Sequence, residues 1–254
     1  MKKNRKNLTG RCAAIALALP LTLVGSAALD AKPLPLPTTT QTAGSQLIAD
    51  VRQINPTTVE VIYADGKMMM FDFYGPNIVR IFRDDNGGIL RDPKAKPAAQ
   101  ILTANARRAT GGVTVSKQNG TVAISTSRAA ININCTTGLF SVVNKQTGET
   151  VVDEIAPVSK TKLTFAARPD EYFFGGGVQN GRFSHKGKSI AIVNTNNWVD
   201  GGVASPTPFY WSTRGYGVMW YTFKPGRYDF GATEPGKVVL THDEDYLDAF
   251  VMVD

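Results

Sequence analysis

The sequence predicts an all-β protein, built as a two-sheet antiparallel β-sandwich. Three observations indicate this class. Short stretches of alternating apolar and polar residues recur along the chain, turns rich in Gly, Asn and Asp separate them, and no stretch after residue 31 repeats apolar residues at helical spacing over an ordinary helix length. Many short strands joined by tight turns are typical of a sandwich. A chain of 254 residues is long enough to bury such a core.

The first predicted strands form a meander. Residues 59–63 alternate, Asp65-Gly66 supplies a hairpin turn, and residues 68–74 return as a largely apolar strand. Residues 78–83 are apolar on both faces, which predicts an interior strand. Two stretches rich in Gly, Pro and charged residues are predicted to be irregular: 84–88 and 91–99.

The same pattern continues to the end of the chain. Period-two pairs predict strands at Val113/Val115, Val122/Ile124, Ile131/Ile133, 139–144, 151–152, 190–192, 218–223, 238–241 and 247–253. Cys135 lies on such an alternation and is predicted to be a buried thiol. The last residues, FVMVD, still have the pattern of a strand, so we expect a chain truncated before a further domain.

The N-terminal region predicts export. Residues 1–31 combine a basic start, a short apolar run and small residues at 25–28, which is the pattern of a cleaved signal peptide with cleavage after Ala27 or Ala28. The apolar run is too short for a comfortable membrane span. Residues 32–46 are rich in Pro and Thr and are predicted to be a linker before the sandwich at 47–254. We therefore expect a periplasmic or secreted protein.

The charge gives no support for a nucleic-acid partner. The chain has 28 basic and 21 acidic residues, but five of the basic ones lie within the first eleven. Without these five, 23 basic residues face 21 acidic ones, and the net charge falls from +7 to +2. A polyanion partner would require a basic patch that this composition does not indicate.

The chemistry-bearing residues predict no metal, cofactor or catalytic residue. The run Gly175-Gly176-Gly177 lacks both the Lys of a phosphate loop and the spacing of a dinucleotide fingerprint. His185 is predicted to lie in a solvated turn and His242 in a charged loop tip, and no short spacing joins them to other metal ligands. Six aromatic residues are predicted to fill the core rather than line a groove: Tyr172, Phe173, Phe174, Phe209, Tyr210 and Trp211.

One cluster has the composition of a sugar site. Residues 196–200 read Asn-Asn-Trp-Val-Asp, and the predicted substrate-binding residues are Asn196, Asn197, Trp198 and Asp200. Sugar sites combine an aromatic ring, on which the sugar stacks, with amide or carboxylate groups that bind its hydroxyls. The alternative from the residues alone is an ordinary turn at Asp200-Gly201-Gly202 with Trp198 in the core.

Two motifs resemble a known family. The chain contains EYFFGGGVQNGRFSHKGK at 171–188 and, after an Asn-rich loop, SPTPFYWSTRGYGVMWYTFKPGRYDFG at 205–231. This region resembles the segment that precedes the catalytic barrel in glycoside hydrolase family 31, which includes α-glucosidases and α-xylosidases. A weaker likeness extends back through residues 66–83. The resemblance implies a galactose-mutarotase-like sandwich that precedes a catalytic (β/α)8 barrel.

The resemblance also implies a function. Members are retaining exo-α-glycosidases whose two catalytic aspartates belong to the barrel, so we expect this chain alone to be inactive. Trp198-Val199-Asp200 is similar to the family's Trp-x-Asp nucleophile motif. However, Gly201-Gly202 follow it instead of Met-Asn or a similar pair, and it lies upstream of the barrel. The implied role of the 196–200 loop is to shape the sugar pocket, and the implied partners are an α-linked glycan and the barrel. The sequence of this loop is most similar to that of members acting on α-galactosides or α-N-acetylgalactosaminides. The alternatives are a stand-alone carbohydrate-binding module and, further off, an aldose-1-epimerase-like enzyme.

Overall fold

The computed structural model describes residues 47–84, 111–195, 198–199 and 201–254. The predicted signal peptide at 1–31, the linker at 32–46 and the segment 91–99 lie outside these ranges. Within them the chain forms β-strands and no helix. The strands are β1 Ile48–Asn55, β2 Thr58–Tyr63, β3 Met68–Gly75, β4 Ile78–Asp84, β5 Thr114–Gln118, β6 Thr121–Ser125, β7 Ala129–Asn134, β8 Phe140–Asn144, β9 Thr150–Ala156, β10 Lys162–Ala166, β11 Phe173–Gln179, β12 Ser189–Ile192, β13 Val203–Ser212, β14 Tyr216–Trp220, β15 Gly226–Phe230, β16 Lys237–His242 and β17 Leu247–Val253.

The strands form two sheets, which confirms the predicted all-β sandwich. One sheet has eight strands in the order β1-β2-β3-β4-β17-β14-β13-β11, and the other has nine in the order β12-β15-β16-β10-β9-β8-β7-β6-β5. Every pairing between neighbouring strands is antiparallel. The order brings β17, near the end of the chain, between β4 and β14, so the eight-stranded sheet joins the start of the sandwich to its end.

The core lies between the two sheets. The period-two pairs of the sequence supply it: Val59 and Val61 from the first sheet and Ile131 and Ile133 from the second have no exposed surface. Alternation places every second residue of a strand on the same face, so these pairs point inward together. Cys135 is buried among them, as predicted.

The glycine run shapes β11 rather than a ligand loop. Gly175, Gly176 and Gly177 all have positive φ, at 105°, 74° and 77°, and the register with β13 shifts between Gly175 and Gly177. A Cβ atom on Gly175 would lie 2.7 Å from the carbonyl oxygen of Phe209. Only glycine combines these φ values with so close an approach of the neighbouring backbone. The run is therefore a bulge in an edge strand.

The six aromatics predicted to fill the core divide between the two faces of the sheet, so that prediction was wrong for part of them. Phe173 and Tyr210 are buried in the core, but Tyr172 and Trp211 are 47% and 45% exposed. Residues adjacent in a strand point to opposite faces, so a run of consecutive aromatics cannot all enter one core. The outward aromatics remain available at the edge of the eight-stranded sheet.

Both histidine predictions were wrong. His185 is 1% exposed, and its Nε2 donates to the carbonyl of Gly175 at 2.8 Å, so it stabilises the bulge of β11. Burial lowers the pKa of His185, although this hydrogen bond partly opposes the effect. His242 is 2% exposed at the end of β16. The charged residues that follow His242 suggested a loop tip, but the strand carries the ring into the interior.

No helix in the part of the chain that the structure describes has the length and apolarity to cross a membrane.

Candidate functional site

A cleft of about 690 Å³ opens where three segments of the sandwich meet. The end of β12 and the residues after it form one side, the first half of β13 forms the floor, and the segment between β14 and β15 forms the other side. The volume lies within the range of small-ligand sites. Its polar and aromatic side chains include Asn194, Thr207, Lys224 and Phe223, the last of which is 63% exposed.

Buried hydrogen bonds fix the segment that carries Phe223. The Nδ1 of His242 donates to the carbonyl of Lys224 at 3.0 Å, which leaves Nε2 to accept from the hydroxyl of Tyr228 at 3.1 Å. The backbone N–H of Lys224 donates to Thr222 Oγ1 at 2.9 Å, and this hydroxyl in turn donates to the buried carboxylate of Glu244. His242 therefore holds one wall of the cleft in place, which sequence reasoning missed.

The positively charged side chain in this wall, Lys224, forms ion pairs. Lys224 Nζ lies 3.2 Å from Asp245 Oδ2 and 3.7 Å from Glu244 Oε2. The hydrogen bond to Asp245 raises the pKa of Lys224, so the ammonium stays protonated at neutral pH. It can donate to a hydroxyl of a ligand in the cleft without losing its carboxylate partners, since an ammonium has three donors.

The loop predicted to bind sugar follows the cleft side formed by Asn194. Asn180 fixes the end of this loop: its backbone N–H donates to Gly202 O at 3.0 Å, its carbonyl accepts from Gly201 N at 2.9 Å, and its amide donates to Val199 O at 3.2 Å. Gly202 N also donates to Val199 O at 2.8 Å. A hydrogen-bonded turn therefore closes between residues 199 and 202, as the turn hypothesis predicted.

Trp198 is 72% exposed, so the alternative that placed it in the core was wrong. Val199 beside it is 62% exposed. The other predicted binding residues, Asn196, Asn197 and Asp200, lie outside the described residues and stay predictions. An exposed indole on a loop with a fixed base can present a flat apolar face to a sugar ring.

The buried carboxylates hold the fold rather than face the cleft. Glu171 Oε1 accepts from Ser212 Oγ at 2.5 Å and from Tyr216 OH at 2.9 Å. Asp229 accepts from the backbone N–H groups of residues 231–233 and caps that turn. Among its described lining residues the cleft contains no carboxylate. In the described ranges, no group of three or more His, Cys, Asp or Glu side chains could hold a metal ion.

The fold and the cleft define a class: an all-β sandwich domain with an open cleft of small-ligand size. The family model described as the glycosyl hydrolase 31 N-terminal galactose mutarotase-like domain matches residues 68–229, which is more than half of the chain. The chain therefore belongs to this family of N-terminal domains, as the motifs at 171–188 and 205–231 predicted.

Known relatives are much longer than this chain. It is 35% identical over 71 residues to α-xylosidase A of Aspergillus niger, an alignment that covers 28% of this chain and 9% of the relative. The family 31 dextranase of Flavobacterium johnsoniae, solved with isomaltotriose, shares its fold at a TM-score of 0.70 and 17% identity, over 82% of this chain and 26% of that one. The cycloalternan-forming enzyme of Listeria monocytogenes, solved with a pentasaccharide substrate, gives 0.66 and 16%, over 82% and 21%.

Proposed function

We propose that this chain is the N-terminal sandwich of an exported, retaining exo-α-glycosidase. In this proposal the cleft and the 196–200 loop shape the sugar pocket, and both catalytic carboxylates belong to a (β/α)8 barrel outside this chain. The partners are an α-linked glycan and that barrel. The observation that carries the proposal is the exposed indole of Trp198 on the loop that connects Asn194 to Ser205, two residues of the cleft, on a domain of family 31.

The chemistry of the cleft supports binding rather than catalysis. Retaining glycosidases need two carboxyl groups about 5–5.5 Å apart on either side of the scissile bond. The cleft offers rings, amide and hydroxyl groups and an ammonium, which suit the C–H faces and the hydroxyls of a sugar. The chain spans about a quarter of the dextranase that it matches, which leaves room for a separate catalytic domain in such enzymes.

Hydrolysis assays test the division of labour. The 254-residue chain should release no nitrophenol from 4-nitrophenyl α-glucoside, α-xyloside or α-galactoside. Turnover above the level of a heat-denatured sample would contradict the proposal. In a polypeptide that includes the barrel, Trp198→Ala should raise KM for the glycoside by about tenfold, because one stacked ring is worth roughly 1–2 kcal/mol. Ile155→Ala is a matched control, since Ile155 is 38% exposed on β9, outside the cleft.

A stand-alone carbohydrate-binding module is the second candidate. The exposure of Trp198 and Phe223 favours it, because aromatic side chains that face solvent beside a cleft can bind a glycan without a catalytic partner. The reading frame beyond codon 254 separates the two candidates. A barrel with a Trp-x-Asp motif supports the glycosidase, whereas a stop codon together with micromolar glycan binding that Trp198→Ala abolishes supports the module.

Observations on the histidines give no support to an epimerase. Such an enzyme needs a histidine acid and a carboxylate base that face one pocket. His185 and His242 are both buried and hydrogen-bonded within the sandwich, and neither lines the cleft.

A further inference from the structure

A second groove lies on the outer face of the eight-stranded sheet, on the side away from the core. Its volume is about 460 Å³, and Trp211, Phe209 and Met252 line its apolar part. The outward direction follows from alternation, since Tyr210, Val218 and Val251 on the same strands enter the core. Among the residues that the structure describes, none lines both this groove and the cleft described above.

Strand register explains why a groove exists at this place. Trp211 on β13 lies opposite Phe174 on β11 and opposite Gly217 on β14, and Gly217 lies opposite Met252 on β17. Gly217 has no side chain, so a gap of two strand spacings, roughly 10 Å, separates the Trp211 and Met252 positions. The ring of Phe209 covers the floor, 2.9 Å from where a Cβ atom of Gly217 would lie. The volume of the groove, about 460 Å³, lies within the range of small-ligand sites.

The indole that forms the wall is held in position. Phe174 stacks on Trp211 with centroids 4.4 Å apart and an angle of 23° between the rings. Phe183, in turn, makes an edge contact with Phe174 at 5.4 Å. Phe174 and Gly217 lie on opposite sides of β13, so the groove is on the side of the indole away from Phe174. A ring that is already fixed loses little conformational entropy when a ligand stacks on it.

Polar groups lie at the end of the same groove. Thr213 and Asp254 line it near the turn between β13 and β14. The hydroxyl of Thr213 accepts from the backbone N–H of Tyr172 at 3.1 Å, which leaves its own proton for an acceptor. The carboxylate of Asp254 accepts hydroxyl protons and repels anionic ligands.

We propose that this groove is a second glycan-binding site, which binds one ring of a neutral polysaccharide between Trp211 and Met252. A ring-shaped apolar wall, an apolar floor and hydroxyl-binding groups at one end suit a pyranose, which has apolar C–H faces and a polar rim. The carboxylate of Asp254 selects against acidic polysaccharides. The site holds a polymer at a distance from the pocket that the proposed function assigns to the cleft.

Electrophoresis of the 254-residue chain in native gels that contain polysaccharide tests this site. We expect dextran or soluble starch to retard the protein and polygalacturonate to leave its mobility unchanged. Trp211→Ala should weaken retardation by about tenfold, whereas Trp211→Phe should retain part of it. Ile155→Ala is the matched control: Ile155 is 38% exposed on β9 of the other sheet and absent from the groove, so its loss should not change retardation. Near-ultraviolet circular dichroism checks that each variant is folded.

The outcomes separate this site from the cleft. Retardation lost in Phe223→Ala but unchanged in Trp211→Ala would overturn the second site and leave the proposed function intact. Absence of retardation in both neutral gels would also overturn the second site. The function proposed for the cleft would still be tested by the hydrolysis assays. In the polypeptide that includes the barrel, the reaction of Trp211 with N-bromosuccinimide is measured in the absence of glycan. If Trp211 resists oxidation, a protein surface covers the groove, and that result too would overturn the proposal.

Discussion

Replacing Asp248 by Asn should destabilise the sandwich by about 3–5 kcal/mol. The guanidinium of Arg80 binds its carboxylate in a bidentate pair, Nε to Oδ1 at 2.7 Å and Nη2 to Oδ2 at 2.6 Å. The two side chains are only 2% and 0% exposed. The variant keeps the volume but leaves the Arg80 charge buried without its counter-ion, and removing one partner of a buried pair costs an amount in this range.

The chain contains a matched control at the same bond length. Arg52 Nε lies 2.7 Å from Asp50 Oδ2, but these side chains are 62% and 50% exposed. Asp50→Asn should therefore cost much less than Asp248→Asn, because solvent screens an exposed pair. The free energy of unfolding is measured by urea denaturation at neutral pH with tryptophan fluorescence as the signal. A difference between the two variants below about 1 kcal/mol would refute the reasoning that burial, rather than distance, decides what an ion pair contributes.

A double replacement distinguishes the cost of a lone charge from the value of the pair. Arg80→Met combined with Asp248→Leu removes both charges, so it should be much closer to the wild type than Asp248→Asn is. If the double variant is as unstable as the single one, the polar contacts of Arg80 with Tyr74, at 3.2 Å, carry the stability instead.

Three further predictions concern stability and processing. Burial raises the pKa of Glu154 from 4.5 to about 7, against the opposing effect of the backbone N–H donors of Phe140 and Val158. The folded state therefore binds this proton more tightly than the unfolded state does. The contribution to stability is fully present below pH 4.5, and up to about 3 kcal/mol of it is lost as the pH rises through 7. Glu154→Gln should remove most of that slope in urea denaturation at several pH values, and an unchanged slope would contradict it. Gly226→Ala should lower the free energy of unfolding by about 1–3 kcal/mol, measured by thermal unfolding, because a Cβ atom there overlaps the ring of His242. Gly75→Ala is the control and should cost far less, since no neighbour lies nearer than 3.8 Å to its Cβ position. Equal losses of stability in the two variants would refute the steric argument. Mass spectrometry of the exported protein should give a mature N-terminus at residue 28 or 29, and retention of residues 1–27 would contradict cleavage.

The sequence predicted the strands whose two faces differ. Alternation in β6 and β7 reports directly which residues enter the core, so these strands could be located without a structure. β1 could not be, because only its first residue is buried and no periodic pattern arises along an exposed edge. The Pro-containing segment at 205–208 lies within β13, where the bulge of β11 alters the pairing.

The site was predicted only where its residues are neighbours in the chain. The composition around Trp198 marked the loop, and its exposure agrees with that hypothesis. Phe223 and Lys224 come from a segment 25 residues later, and only the sheet order brings them to the cleft. His242 was misassigned because its charged sequence neighbours indicated solvent, whereas its hydrogen bonds depend on β15 and on the backbone before it.

The three tryptophans allow one direct measurement of sugar binding. Trp198 lies exposed on the loop that connects two lining segments of the cleft, Trp211 lines the outer groove, and Trp220 is buried in the core. In a ¹H–¹⁵N spectrum of the 254-residue chain, each indole N–H reports on its own location. Titration with millimolar isomaltotriose should shift the Trp198 resonance while that of Trp220 stays unchanged. A Trp198 resonance that does not move with any α-linked oligosaccharide would contradict the sugar-binding role of the loop and the cleft.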